Sequence, residues 1–156
     1  MAKNSQGSYG GQYLRVNLTN GRIWTDQLES ATYRRYVGGA AYGAKVLYDE
    51  VPPGVAWSDP ENRLVVASGP LGGTRVNGSG TVSVVTKGPM TNGAAASQAN
   101  GFLGAYMRFN SFDGAVIQGT ARGLQYLYIA DGEAELRDAE HLAGEDTCEI
   151  IDIIAQ

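Results

Sequence analysis

Twenty-two glycines scattered through 156 residues constrain this chain more than any other feature. That is twice the average usage of about 7%. They stand as pairs and singles between apolar segments: Gly38-Gly39, Gly69, Gly72-Gly73, Gly78, Gly80, Gly88, Gly93, Gly101, Gly104, Gly114 and Gly119. A linker would cluster them; this pattern does not. Glycine reaches positive φ at little steric cost and lets backbone approach a neighbour or a ligand closely. A β fold rich in turns is the simplest architecture that uses so many. Two dense segments, 69–80 and 93–104, also have the composition to present backbone N–H groups to an anion, with plain β-turns as the competing reading.

The remaining composition removes several classes. The length fits one domain. A hydrophobic fraction of 43% and a mean hydropathy of -0.21 exclude wholesale disorder. No apolar run approaches the ~18 residues of a membrane span, so no membrane partner is expected. Residues 1–11 are polar and glycine-rich, read as a flexible arm without a secretory signal, and a cytoplasmic location is expected. The formal net charge of -4 argues against nucleic acid. Cys148, alone, allows neither an internal disulfide nor a thiolate cluster within the chain.

The local patterns predict α+β architecture, mainly antiparallel, with seven or so strands and three or four short helices. Residues 13–17 and 22–25 flank Asn20-Gly21, a strong hairpin signal. Ser30 is placed to cap a helix over 31–37, stopped by Gly38-Gly39. A second helix over 40–51 carries Tyr42, Val46 and Leu47 on its buried face and ends at Pro52-Pro53-Gly54. Strands follow at 63–68 and 81–87, the latter rich in β-branched residues. Residues 94–99 are small and ambiguous. A helix over 101–110 would carry Phe102, Leu103, Tyr106 and Met107 on one side. Strands at 115–118, 124–130 and 134–137 come next, the last two joined through Asp131-Gly132. Asp146 and Glu149 have capping-box spacing at the start of a final helix. Hairpin, helix and strand early, then helix, strand and hairpin late, form a weak two-fold echo.

Chemical motifs are sparse. There is no Walker motif and no CxxC. His141 reads as a capping or surface residue, and it has no signature linking it to Cys148. Ser83, Thr86, Ser97 and Gln98 lie near glycines. The candidate ligand surface is where Gly78-Ser79-Gly80-Thr81 meets Ser97-Gln98-Ala99-Asn100-Gly101. Gly101 is expected to open a helix, whose N-terminus carries partial positive charge and unpaired donors. Gln98 and Asn100 can both donate and accept.

A run of blocks carries a resemblance: LRVNLT (14–19), YVGG (36–39), GAKVLYDEVPPG (43–54), PEN (60–62), ASGPL (67–71), VVTKGP (84–89) and AELRDA (134–139). In order and spacing they resemble the N-terminal domain of the aldehyde ferredoxin oxidoreductase family, over nearly all of residues 12–156. The resemblance implies a base of two β-sheets on which a bis-pterin cofactor holding tungsten, sometimes molybdenum, is seated. Such enzymes oxidise aldehydes to carboxylic acids and pass electrons through a 4Fe-4S cluster to ferredoxin. Their later helical domains supply the cluster cysteines and most of the substrate pocket, and these domains are not in this sequence. With a single cysteine, the chain itself is expected to hold no 4Fe-4S cluster and to be inactive alone. Ferredoxin would be reached only through a complete enzyme. A free sheet edge would be met by a homo-oligomer or a companion subunit.

The resemblance implies cofactor-binding residues at Gly80, Thr81, Ser97, Gln98, Ala99, Asn100 and Gly101, with no catalytic or metal-ligating residue in the chain. It also shows departures. Where the family has arginines, after the glycine pair and before the VVTK strand, this chain has Ala40 and Thr81. The family's Asn-Ser-Gly-Gly run reads Gln98-Ala99-Asn100-Gly101. An arginine–phosphate contact is charge-assisted and often bidentate, and neither alanine nor threonine replaces it. Arg75, Lys87 and Arg108 are the cations nearby in sequence. Three functions stand at this level: a cofactor-cradling domain or subunit, a degenerate paralogue serving as a metal-free scaffold, and a binder of another anionic ligand.

Overall fold

The computed structural model describes residues 9–155. Most of the expected 1–11 arm therefore lies outside the described residues. Eight strands, β1 (Gln12–Asn17), β2 (Arg22–Gln27), β3 (Arg63–Ser68), β4 (Thr81–Lys87), β5 (Ala94–Asn100), β6 (Gly114–Gln118), β7 (Gln125–Ala130) and β8 (Glu133–Asp138), alternate with helices α1 (Ser30–Tyr36), α2 (Gly39–Glu50), α3 (Leu103–Phe109) and α4 (Thr147–Ile154). The first sheet has six strands in the order β2-β1-β6-β3-β4-β5, and β7-β8 form a separate hairpin. All pairings are antiparallel except β1 with β6. The fold is thus α+β and antiparallel-dominated, as the sequence patterns imply.

Alternation along the strands divides the core into two layers. Tyr13, Val65, Ala67, Val85 and Val116 face α2 and pack on Tyr42, Val46 and Leu47. On the opposite face, Leu14, Val16 and Ala115 meet Met107 of α3 and Phe112, and Leu127, Ile129, Ala134 and Leu136 of the hairpin cover them. The separation of α2 from the sheet is set by Gly43. A Cβ there would stand 2.5 Å from Val85 Cγ2 and 2.6 Å from Val85 Cβ.

Local capping differs from expectation in two places. Ser30 is the first residue of α1 rather than its cap; Glu29 holds that position, with no side-chain cap bond. The helix expected over 101–110 begins two residues later, because residues 94–100 continue as a strand and Gly101, at φ 158°, is still extended. Of its expected apolar side only Met107 is buried; Phe102, Leu103 and Tyr106 face outward. The α4 capping box is formed: Asp146 accepts from the Cys148 and Glu149 amides, and Glu149 accepts from the Asp146 amide. His141 lies exposed in a short 3-10 turn.

Two polar clusters lock the layers. Arg15, 9% exposed on β1, donates to Asp26 at 2.9 Å and to both carboxylate oxygens of Glu50 at 2.7 and 2.8 Å. Arg63 Nε reaches Glu50 at 3.1 Å, so one carboxylate ties the C-terminal end of α2 to β1 and β3. Asp113, at the start of β6, accepts from the amides of Gly10 and Gly11 (2.7 and 2.9 Å), from Tyr33 Oη (2.7 Å) and from Arg108 (2.7 Å). Burial nevertheless leaves the Asp113 carboxyl above its ordinary range.

Two outcomes follow from this packing. Gly43→Ala should lower stability by about 1–3 kcal/mol through overpacking against Val85. Adding Val85→Ala should recover part of that loss in thermal melts, and a double variant no better than the single contradicts the contact. Burial pushes the Glu50 carboxyl up, but the hydrogen bonds from Arg15 and Arg63 outweigh this and hold it below its ordinary 4.5. The stability it contributes is present above that value and lost as pH falls through the lower, folded one. Glu50→Gln should therefore lower Tm at neutral pH and flatten the acid limb of a Tm–pH curve; an acid limb of unchanged slope contradicts the network.

Candidate functional site

A cavity of about 430 Å³ opens where the N-terminal end of α2, the C-terminal end of β3 and the start of β4 meet. It is lined by Val37, Gly38, Gly39 and Ala40, by Ala67 and the Gly69-Pro70-Leu71-Gly72 turn, and by Gly78, Ser79, Thr81, Ser83 and Gln98. Its volume lies in the range of small-molecule sites.

The cavity exists because the α1–α2 junction is tight. Val37, Gly38 and Gly39 have φ of 62°, 142° and 54°. Such a run reverses the chain within three residues and starts α2 against the end of β3. A Cβ at Gly38 would lie 2.6 Å from the Ser68 carbonyl oxygen and 3.2 Å from Gly69 Cα, so only glycine fits. The first intrahelical bond from this cap runs from the Tyr42 amide to Gly38. The amides of Gly39, Ala40 and Ala41 precede it, and among the described residues no side chain caps them. A twelve-residue helix therefore turns its donor end towards the cavity.

Ser83 supplies the second feature. It is 3% exposed, lines the cavity and stands so that a Cβ on Gly39 would lie 3.4 Å from its Oγ. Among the described residues its hydroxyl has no hydrogen-bond partner. Gln98 sits directly across the ladder from Ser83 and Asn100 across from Thr81. The Thr81 hydroxyl donates to Asn100 Oδ1 at 2.6 Å, and Ser79 donates to the Thr74 carbonyl at 3.1 Å. The free donors and acceptors are thus concentrated at the α2 end, Ser83 and Gln98.

The residues read from the sequence separate here. Thr81 and Gln98 line the cavity. Gly80 and Gly101 are joined by the Gly101 amide bond to the Gly80 carbonyl at 3.1 Å. Ser97 and Ala99 alternate onto the opposite face of β5 from Gln98. The two segments do run side by side, as neighbouring strands rather than as a strand and a helix entry. Sequence reasoning missed the α2 N-terminus; it named the 69–80 segment as able to present backbone amides to an anion and Ser83 as lying near glycines, without placing either against α2. The Gly38-Gly39 pair before a helix was the available signal, and it was read only as a stop for α1.

Both positions where the resemblance expects arginine, Ala40 and Thr81, line this cavity, and no lining residue is a cation. The three cations nearby in sequence are elsewhere. Lys87 Nζ donates to the Val55 carbonyl, Arg108 pairs with Asp113, and Arg75 is exposed on the 69–80 loop. Among the described residues no three His, Cys, Asp or Glu side chains converge on a point that would hold a metal. The chemistry of the lining therefore fits an organic ligand held by amides, hydroxyls and one carboxamide, and not a metal ligated by this chain.

Comparison with known proteins identifies the family. The profile described as aldehyde ferredoxin oxidoreductase, N-terminal domain, matches residues 13–156. Tungsten-containing aldehyde ferredoxin oxidoreductases of Pyrococcus furiosus and Pyrococcus abyssi are 34% and 38% identical, over 89% and 87% of this chain. The chain spans only 23% and 22% of those relatives. The aliphatic sulfonate oxidoreductase, WOR-like subunit, of Pyrococcus furiosus is 34% identical over 85% of the chain and 21% of its own length. Among solved structures, the active site complex BamBC of benzoyl coenzyme A reductase, with 1,5 dienoyl-CoA, superposes with a TM-score of 0.90 at 36% identity. It covers 94% of this chain and 22% of its own. The chain belongs to the aldehyde ferredoxin oxidoreductase family, as its N-terminal domain.

Two buried serines give a stability test of the site. Ser68 Oγ, at the end of β3, is buried without a partner, and a Cβ on Gly72 would lie 2.3 Å from it. A buried hydroxyl without a bond costs about 1–3 kcal/mol. Ser68→Ala should leave Tm unchanged or raise it, and Ser83→Ala, which removes a hydroxyl open to the cavity, should leave it unchanged. A fall worth more than about 1 kcal/mol for either would reveal a hydrogen bond that this geometry lacks.

Proposed function

We propose that this chain forms part of the seat for a tungsten pterin cofactor in a complete oxidoreductase that converts aldehydes to carboxylates. The observation that carries the reading is the neutral cavity, with the Ser83 hydroxyl open to it, without a side-chain partner among the described residues, beside the donor end of α2. A pterin edge alternates donors and acceptors. Gln98 matches both kinds, Ser83 donates or accepts, and the first amides of α2 donate to an oxygen. The tungsten centre, when bound, supplies the redox chemistry. The residues of this chain bind and orient the organic part, and Val37, Pro70 and Leu71 give the cavity an apolar side.

The relatives support this division of labour. At 34–38% identity the same domain occurs in proteins named for aldehydes, for aliphatic sulfonates and for benzoyl coenzyme A. A domain shared across such different substrates serves what those enzymes have in common and does not select the substrate. Because the chain spans about 22% of these relatives, electron transfer to ferredoxin and substrate binding fall to a companion domain or subunit. Ala40 and Thr81 favour the second reading, a metal-free scaffold of the same fold, because both take a cation from the cavity wall.

Production in a tungsten-supplied host, together with the polypeptide that completes the enzyme, separates the two. Metal mass spectrometry and the fluorescence of oxidised pterin should find both groups with the wild-type chain. A folded Ser83→Leu variant, its cavity filled, should retain about tenfold less pterin, the ratio that a 1.4 kcal/mol loss of affinity produces. Wild-type assembly without pterin or metal contradicts the cofactor reading and leaves the scaffold. Equal pterin in Ser83→Leu contradicts the assigned cavity.

A further inference from the structure

The sequence contains four asparagine–glycine pairs: Asn20-Gly21, Asn77-Gly78, Asn92-Gly93 and Asn100-Gly101. Such a pair can close on itself. The glycine amide nitrogen attacks the asparagine side-chain carbonyl carbon, the new N–C bond displaces ammonia, and a cyclic imide forms. Water then opens the imide at either carbonyl. The product is aspartate or, with the main chain rerouted through the side chain, isoaspartate. Water enters and ammonia leaves, and nothing is oxidised or reduced. Glycine permits the attack best, because it has no Cβ to block the approach. The carboxamide must be free to swing over the glycine amide, and that amide must be free of an acceptor.

Hydrogen bonding separates the four pairs. Asn20 Oδ1 is held by the Arg22 amide at 3.0 Å. Asn92 donates to the Val55 carbonyl at 3.3 Å, and the Gly93 amide donates to Thr91 Oγ1 at 3.2 Å. Asn100 Oδ1 accepts from the Thr81 hydroxyl at 2.6 Å, and the Gly101 amide donates to the Gly80 carbonyl at 3.1 Å. Asn77-Gly78 differs from all three. Among the described residues neither the Asn77 carboxamide nor the Gly78 amide has a hydrogen-bond partner. A Cβ on Gly78 would meet nothing within 4 Å. The pair forms the middle of a turn, with Gly78 at φ 80°. That turn is closed by one backbone bond, from the Ser79 amide to the Val76 carbonyl at 3.2 Å. Opening it is the restraint the reaction has to overcome.

We propose that Asn77 is a self-deamidating site whose product places a carboxylate at the rim of the cavity. Gly78 and Ser79 line that cavity, and no lining residue carries a charge. Arg75 is the one charged residue of the 69–80 segment. An added carboxylate at position 77 therefore takes this segment from one net positive charge to none. Isoaspartate also lengthens the main chain just ahead of Gly78 and shifts the wall. Both products turn the cavity against an anion such as a phosphate. That consequence rests on the proposed cofactor seat; the conversion itself does not.

Ageing the purified chain at mildly alkaline pH, followed by tryptic mass spectrometry, reads all four pairs in one sample. Trypsin places Asn20 in peptide 16–22, Asn77 in 76–87, and Asn92 with Asn100 in 88–108, where fragmentation tells them apart. Asn77 should convert at least about tenfold faster than the other three, the ratio that one retained hydrogen bond sets on the barrier. In urea the four rates should converge, because only the fold distinguishes the pairs. Isoaspartate-specific enzymatic methylation should label the aged chain, and Asn77→Ser should lose most of that label. Asn77→Asp should bind a reduced pterin monophosphate about threefold more weakly at low salt and the unphosphorylated pterin equally well. Equal rates in the folded chain, or a faster pair among the other three, overturn the proposal. Equal phosphate affinity in Asn77→Asp and wild type overturns the charge effect. A wild-type chain that binds neither pterin contradicts the seat, and the peptide rates still decide the modification.

Discussion

Helix α2 lies on the sheet at a separation that Gly43 permits, with Val85 filling the space a Cβ would take. The rest of the site depends on this contact. It sets the height of the α2 N-terminus above β3 and β4, and with it the depth of the cavity between them. The other end of the helix is fixed by charge, through Glu50 held between Arg15 and Arg63. Close packing at Gly43 and the ion network at Glu50 hold the helix in place, and its first amides are left without a side-chain cap among the described residues. A ligand that uses those amides meets a preorganised surface, because α2 does not have to move to present them.

Much of the fold was legible in the sequence because its signals are local. Asn20-Gly21 marked the first hairpin, the β-branched run marked β4, and Asp146 with Glu149 marked the cap of α4. The failures are equally physical. β5 has no periodic hydrophobicity because both of its faces are exposed, so nothing in AAASQAN distinguishes a strand from a loop. The parallel pairing of β1 with β6 joins residues about a hundred positions apart and leaves no local trace. At the site, Thr81 and Gln98 were reached through the glycine-rich segments and the family resemblance. Ser83 was noted only for its neighbouring glycines. Its isolation beneath α2 is a property of three elements together and is not written in any one of them.

The wall of the cavity is neutral. Ala40 and Thr81 occupy the two lining positions at which the resemblance places arginine, and no other cation enters the cavity. Phosphate recognition here would rest on amides and the helix dipole alone, which contribute less than a bidentate guanidinium. The balance therefore shifts from charge towards shape and hydrogen-bond matching to a flat heteroaromatic edge. Under the proposed reading that shift weakens the grip on the cofactor's phosphate, which is why the same two residues favour the scaffold reading.

Amide chemical-shift mapping during titration with a reduced pterin monophosphate tests the seat most directly. The account predicts shifts confined to Gly38–Ala41, Gly69–Gly72, Thr81, Ser83 and Gln98, with the largest at the first amides of α2. A titration that leaves these amides unmoved contradicts it. So does one whose shifts gather instead at the apolar groove of Tyr48, Val51, Pro52 and Lys87 on the far end of α2.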